Sequence, residues 1–102
     1  MNDYVKVAKA ADIGAGMMKG YTVNDVKILI ANLGGKYYAV EDKCTHMSAL
    51  LSKGVLLGNI VMCPAHGAQF DVTSGAVLTS PASKPAKAYE VRLNGEDIEI
   101  KL

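Results

Sequence analysis

The sequence predicts an all-β fold, and three features of its pattern support this. First, apolar and polar residues alternate with a period of two in the segments 89–94 and 97–102, which is typical of half-buried strands. Second, short turn sequences such as Asn24-Asp25 and Gly34-Gly35 separate the apolar segments at close intervals. Third, no segment has convincing helical periodicity. We therefore expect strands joined by short turns.

Ten segments are expected to form strands, in chain order 4–9, 17–23, 26–33, 36–41, 55–57, 60–62, 70–72, 77–78, 89–94 and 97–102. The strands between 17 and 41 are expected to form a meander. Asn94-Gly95 is a strong signal for a two-residue hairpin turn. The register that it predicts places Arg92 opposite Asp97, a favourable cross-strand pair. It also places Glu90 opposite Glu99, at some cost in stability.

Length and charge limit the function classes. The 102 residues fit one small domain, and half of them are apolar, which is enough for a core. The formal net charge is +1, so there is no electrostatic case for binding nucleic acid or an anionic membrane. No signal peptide is visible, and no apolar segment approaches the ~18 residues of a membrane span. We expect neither a nucleic-acid partner nor a membrane partner.

Two short cysteine–histidine pairs contain all the cysteines and histidines of the chain. Cys44 and His46 form a C-x-H pair, and Cys63 and His66 form a C-x-x-H pair. This concentration of soft ligands favours a single metal centre. Two thiolates and two imidazoles are the ligand set of a Rieske [2Fe–2S] cluster, in which two histidines replace two cysteines on one iron.

A zinc site and a disulfide are alternative interpretations of these four residues. Zinc also accepts two cysteines and two histidines, but zinc fingers usually place the cysteines together and then the histidines together. Here the two types alternate, which favours the cluster and leaves a zinc-stapled binding module as an alternative. A disulfide between Cys44 and Cys63 would leave both histidines unexplained.

The residues around the pairs resemble the C-T-H and C-P-x-H-G loops of the Rieske ferredoxin family. The likeness extends from Tyr38-Ala39-Val40-Glu41 to Gln69-Phe70-Asp71, and the chain length fits a single-domain ferredoxin. It implies a Rieske-type antiparallel β-sandwich or barrel base with a small inserted cluster-binding β subdomain. We expect one domain over 1–102, with the base at about 1–41 and 83–102 and the cluster-binding subdomain at about 42–82.

The resemblance also implies the cofactor and its ligands. One Rieske-type [2Fe–2S] cluster is expected, with Cys44 and Cys63 on one iron and His46 and His66 on the other. No catalytic residue is expected.

Four further residues are expected close to the ligands. Gly67 would let the backbone approach the cluster, although an ordinary turn glycine explains it equally well. Ala65 is a spacer whose backbone amide is a candidate to face a cluster sulfur. Pro81 lies where a proline-containing third loop covers the cluster in the family, and the alternative is a simple loop breaker. Met47 begins an apolar group that serves either for docking or as core.

The other members of that apolar group are Leu50 and Leu51. Ala68 and Phe70 stand where high-potential Rieske proteins place hydroxyl donors, and neither side chain can donate a hydrogen bond. The expected reduction potential is therefore at the negative end of the Rieske range.

The resemblance implies a soluble one-electron carrier that relays electrons from an NAD(P)H-dependent flavin reductase to a terminal oxygenase or another oxidoreductase. A small electron-entry subunit of a larger redox complex is the alternative. A Rieske oxygenase needs a further iron held by two histidines and a carboxylate, and the chain has no histidine left for it. We therefore expect an electron-transfer protein and not an enzyme. Two cysteines that both serve as ligands suit the reducing cytoplasm.

Overall fold

A computed structural model describes residues 4–43, 49–64, 67–79 and 85–102. Within these ranges the chain forms nine strands: β1 (Tyr4–Lys9), β2 (Met18–Val23), β3 (Val26–Leu33), β4 (Lys36–Glu41), β5 (Val55–Leu57), β6 (Ile60–Met62), β7 (Gln69–Asp71), β8 (Ala88–Asn94) and β9 (Asp97–Lys101). Two single-turn 3₁₀ helices, Ala10–Asp12 and Leu51–Lys53, are too short to leave a periodic pattern in the sequence.

The strands form two antiparallel sheets. The larger sheet has six strands in the order β1-β9-β8-β4-β3-β2 and curls into a nearly closed barrel. The smaller sheet has the order β5-β6-β7 and is inserted between β4 and β8 in the sequence. The predicted all-β fold, with a barrel-like base and a small inserted sheet, is confirmed. The boundaries proposed for the two subdomains stay a prediction.

The central strand β3 contributes to two hydrophobic cores. Ile28 and Ile30 are fully buried in the core of the six-stranded sheet. Leu29 and Ala31, on the opposite face, are fully buried in a second core, which also contains residues of the small sheet. A strand that is covered on both faces has no polar face, and this explains why the sequence pattern of β3 does not alternate.

The predicted register of the β8–β9 hairpin is wrong. The turn residues are Gly95 and Glu96, one position later than predicted, and Gly95 has a φ of 63°. A glycine with positive φ at the first central position suits a type II′ turn. Arg92 therefore pairs with Glu99 instead of Asp97, and its Nε lies 2.7 Å from the glutamate Oε1. Glu90 and Glu99, which the predicted register placed opposite each other, are not paired.

The remaining elements differ little from the prediction. The strand expected at 70–72 is β7, which begins one residue earlier. The segment expected at 77–78 contains only an isolated bridge between Val77 and Phe70. Across the described ranges, no helix is long and apolar enough to cross a membrane.

Candidate metal centre

Cys63 lies at the end of β6, where the chain enters the second predicted ligand loop. Cys63 is 2% exposed and belongs to the core between the two sheets. Its N–H donates to the carbonyl of Ala68 (2.7 Å), and its carbonyl accepts from the N–H of Gly67 (3.1 Å). These bonds close a tight loop between β6 and β7. Ala65 and His66 belong to this loop and lie outside the described residues.

The backbone conformation accounts for the glycine at position 67. Gly67 has a φ of 73°, in the left-handed region that favours glycine. Among the described residues, a Cβ built there would meet no atom nearer than the Sδ of Met62, at 4.0 Å. The turn interpretation of Gly67 is supported, and its predicted role beside the cluster stays a prediction.

The first predicted ligand loop is bracketed by a buried aspartate and a serine. The carboxylate of Asp42, a residue only 3% exposed, accepts from the N–H (2.7 Å) and the Oγ–H (2.6 Å) of Ser52. The Asp42 N–H donates to the carbonyl of Lys27 (2.9 Å). Segment 44–48, with Cys44, His46 and Met47, lies outside the described residues. The charge-assisted hydrogen bonds between Asp42 and Ser52 therefore form a side-chain clamp that joins the chain before segment 44–48 to the chain after it.

The residues predicted for the site did not include Asp42, Ser52 or Gly20. A Cβ on Gly20 would lie 2.5 Å from Asp42 Oδ2 and 2.6 Å from Ser52 Oγ, so the glycine leaves room for the clamp. One signal was available: a carboxylate close to the apolar pair Ala39-Val40 is expected to be buried, and a buried carboxylate needs a hydrogen-bonding partner. The partner, Ser52, lies ten positions away in the sequence, so the local sequence pattern does not reveal it.

The third predicted loop is anchored on one side at β7 and on the other at the turn that follows β7. The N–H of Leu78 donates to the carbonyl of Gln69 (2.8 Å), and that of Ala86 donates to the carbonyl of Gly75 (2.8 Å). Segment 80–84, which contains Pro81, lies between these anchors and outside the described residues. The covering role of Pro81 stays a prediction.

A hydrogen-bonded turn follows β7. The Oδ1 of Asp71 accepts from the N–H (2.9 Å) and the Oγ1–H (2.6 Å) of Thr73. The hydrogen bond from the Thr73 hydroxyl contributes most to lowering the pKa of Asp71. Because its pKa is lower in the folded state, the contribution of this carboxylate to stability is present above its unfolded pKa and is lost as the pH falls through the folded pKa.

Apolar side chains surround Cys63. Ala68 and Phe70 are fully buried in the same core, and neither can donate a hydrogen bond. Leu51 is also fully buried there, so the docking interpretation is wrong for Leu51. Leu50 is half-buried and lines a surface cavity. The predicted low potential stays a prediction.

The environment of Cys63 fits a soft metal centre. A thiol held at the end of a strand, in a buried and apolar core, suits a thiolate ligand to iron. The remaining donors of the predicted set are one cysteine and two histidines on the adjoining loops.

Comparison with known proteins decides the family. The sequence model of the Rieske [2Fe-2S] domain family matches residues 3–90 of this chain. The chain belongs to this family. As a Rieske protein it carries a Rieske-type [2Fe–2S] cluster, as the two cysteine–histidine pairs predict.

Similar proteins match the Rieske chain over nearly its whole length. The ferredoxin component of biphenyl 2,3-dioxygenase from Rhodococcus jostii (strain RHA1) is 33% identical over 97 residues, which are 95% of this chain and 91% of that protein. The solved ferredoxin of carbazole 1,9a-dioxygenase from Nocardioides aromaticivorans IC177 is 29% identical, with a TM-score of 0.93 and 97% of each chain covered.

A further solved match comes from a complex of reduced oxygenase and oxidized ferredoxin in carbazole 1,9a-dioxygenase. It is 32% identical, with a TM-score of 0.90, and the match covers 97% of this chain and 93% of that one. These relatives are electron-transfer components and not catalytic subunits. The Rieske chain is an electron carrier of this kind.

The Asp42–Ser52 clamp provides a test of how the first loop is held. Replacing Ser52 with alanine removes one hydrogen bond to a buried carboxylate, which is worth about 1.5 kcal/mol. We expect the Tm of the holoprotein to fall by about 6 °C for a domain of this size. Ser74→Ala is the control, because the Oγ of Ser74 accepts one exposed hydrogen bond from the N–H of Ala76. Equal Tm values for the two variants would show that the clamp does not stabilise the fold.

Proposed function

We propose that this Rieske protein receives single electrons from an NAD(P)H-dependent flavin reductase and passes them to a terminal oxygenase or another oxidoreductase. The observation that supports this most strongly is the match with a dioxygenase ferredoxin component over 95% of this chain and 91% of the relative. A related complex joins an oxygenase to a ferredoxin. The reductase as donor is the part of the proposal that rests on the family resemblance alone.

In the proposed site, Cys44 and Cys63 bind one iron and His46 and His66 bind the other. The bound cluster supplies a centre that accepts and releases one electron. The described residues contribute the buried position of Cys63 and the hydrogen bonds that close its loop. The Asp42–Ser52 clamp joins the chain on either side of the loop that carries Cys44 and His46.

Four residues besides the ligands belong to the proposed site. Gly67, Ala65, Met47 and Pro81 are proposed to lie next to the cluster. The small sheet lies between residues 55 and 71, within the proposed cluster-binding subdomain. The protein is proposed to work in the cytoplasm, where the reducing conditions keep ligand cysteines as thiols.

Stoichiometric reduction tests the proposed function. The purified holoprotein is mixed anaerobically with NADH and a catalytic amount of a flavin-dependent ferredoxin reductase, and the visible spectrum is recorded. We expect uptake of one electron per chain, full reversal on reoxidation, and no further NADH consumption until an electron acceptor is added. A protein that contains zinc, or that cannot be reduced and reoxidised, would contradict the proposal.

A further inference from the structure

A groove that is partly lined by Asp42 and Ser52 is also lined by lysines. It encloses about 420 Å³ between the edge strand β2 and the 3₁₀ helix Leu51–Lys53. Lys19, Lys27 and Lys53 line it, and all three residues are exposed. We call this cavity the lysine groove.

Among the described residues, the one carboxylate that lines the lysine groove is that of Asp42. Asp42 is buried, and both of its carboxylate oxygens accept hydrogen bonds from Ser52. A neighbouring cavity of about 370 Å³ shares Lys27 and Asp42 with the groove and adds Lys43. The more accessible carboxylates of Asp25 and Glu41 line that neighbouring cavity and not the lysine groove.

The lysines of the groove have no ion-pair partner within the part of the chain that the structure describes. The ion pairs found there, Lys6–Asp97 and Arg92–Glu99, belong to strands β1, β8 and β9. The protein as a whole is nearly neutral, with a formal net charge of +1. Three lysines that make no ion pair with a described residue therefore line one groove, where they produce a local positive potential.

The position of the groove connects this potential to electron transfer. Asp42 and Ser52 form part of its wall, and they also bracket segment 44–48, which contains Cys44 and His46. A protein bound in the groove would lie beside the chain that enters and leaves this ligand loop. Such a position suits an electron-transfer partner, because complementary charge chiefly accelerates and orients encounters.

We propose that the lysine groove is the docking site for an acidic surface segment of the redox partner protein. This proposal rests on the proposed function as an electron carrier. The partner chemistry follows from charge complementarity. Three exposed lysines with no ion pair among the described residues line the groove, and the one carboxylate that those residues add to its lining is buried and already hydrogen-bonded. Carboxylate side chains on the partner would supply the missing counter-charges.

Paramagnetic mapping of the groove tests the proposal without any electron transfer. The anion hexacyanochromate(III) is added to the ¹⁵N-labelled, oxidised holoprotein, and the additional broadening of amide resonances is measured. We expect broadening to be largest at groove residues, with Thr22 and Lys53 as reporters. Broadening that is strongest at Lys36 or Lys101, or that is uniform over the surface, would overturn the proposal. This measurement does not depend on redox activity, so its failure is distinct from failure of the proposed function.

The rate of oxidation by an anionic oxidant gives the second test. Lys19→Glu/Lys53→Glu is compared with Lys36→Glu/Lys101→Glu, which changes the net charge equally at exposed lysines outside the groove. We expect the groove variant to be oxidised by ferricyanide about tenfold more slowly at low ionic strength, and the control variant to be slowed much less. The difference should vanish at high salt. Equal slowing in both variants, or none in either, would overturn the proposal.

Discussion

The Cys63→Ser variant is expected to lose the visible absorption of the cluster. Cys63 is buried at the end of β6 and is one of the two thiolates proposed to bind the same iron. A serine hydroxyl is a poor replacement for a thiolate that binds iron. We expect iron and acid-labile sulfide in the purified variant to fall to near zero. The unfolding temperature should fall as well, since the cluster binds only the folded state.

Ala68→Ser is the matched control for this experiment. It adds a hydroxyl at another fully buried residue, one whose carbonyl accepts from the Cys63 N–H, and it leaves the thiol in place. We expect this control to retain its cluster. A Cys63→Ser protein with unchanged iron content and spectrum would exclude Cys63 as a ligand.

The Gly75→Ala variant is expected to be severely destabilised. Gly75 has a φ of 80°, and a Cβ built there would collide with the carbonyl oxygen of Ala86. The same backbone is held by bonds from the Gly75 N–H to the Asp71 carbonyl (2.6 Å) and from the Ala86 N–H to the Gly75 carbonyl (2.8 Å). The collision can therefore be relieved only if the backbone shifts at Gly75 or Ala86, which anchor segment 80–84.

Gly58→Ala separates this collision from the cost of a positive φ. Gly58 has a φ of 59°, but a Cβ built there would meet no atom of the described residues within 4 Å. We expect the control to lose about 1 kcal/mol and Gly75→Ala to lose about 3 kcal/mol or more. On a thermal melt, the two Tm decreases should be about 5 °C and more than 12 °C. Similar decreases would mean that the backbone near Ala86 yields easily.

Local signals made much of the fold predictable. Strand β3 was predicted with its observed bounds, because turn residues flank it on both sides. One of those turns, Asn24-Asp25, has positive φ at both residues, as a type I′ hairpin requires. These features depend on a few neighbouring residues, and the sequence displays them directly.

Features that depend on distant residues were not predictable in the same way. Hairpin register was misjudged because Asn94-Gly95 and Gly95-Glu96 both satisfy short-turn rules, and pairing such as Arg92 with Glu99 decides between them. The clamp between Asp42 and Ser52 spans ten positions and forms only once β4 and the 3₁₀ helix are in place.

The candidate site was predictable in its chemistry and less so in its surroundings. The ligand types follow from the two cysteine–histidine pairs, because their residues are the chain's only cysteines and histidines. The buried position of Cys63 agrees with that assignment. The sequence does not decide between a docking surface and the core for Leu51, because an apolar residue after a loop fits both. Its burial in the core decides it.

One iron of the cluster is proposed to be bound by two histidines and the other by two cysteines. The most direct measurement is the EPR spectrum of the dithionite-reduced holoprotein, recorded together with its iron and acid-labile sulfide content. Mixed ligation predicts a [2Fe–2S] signal whose average g value lies well below that of an all-cysteine cluster. An all-cysteine-like signal, or stoichiometric zinc with no signal after reduction, would contradict the assignment.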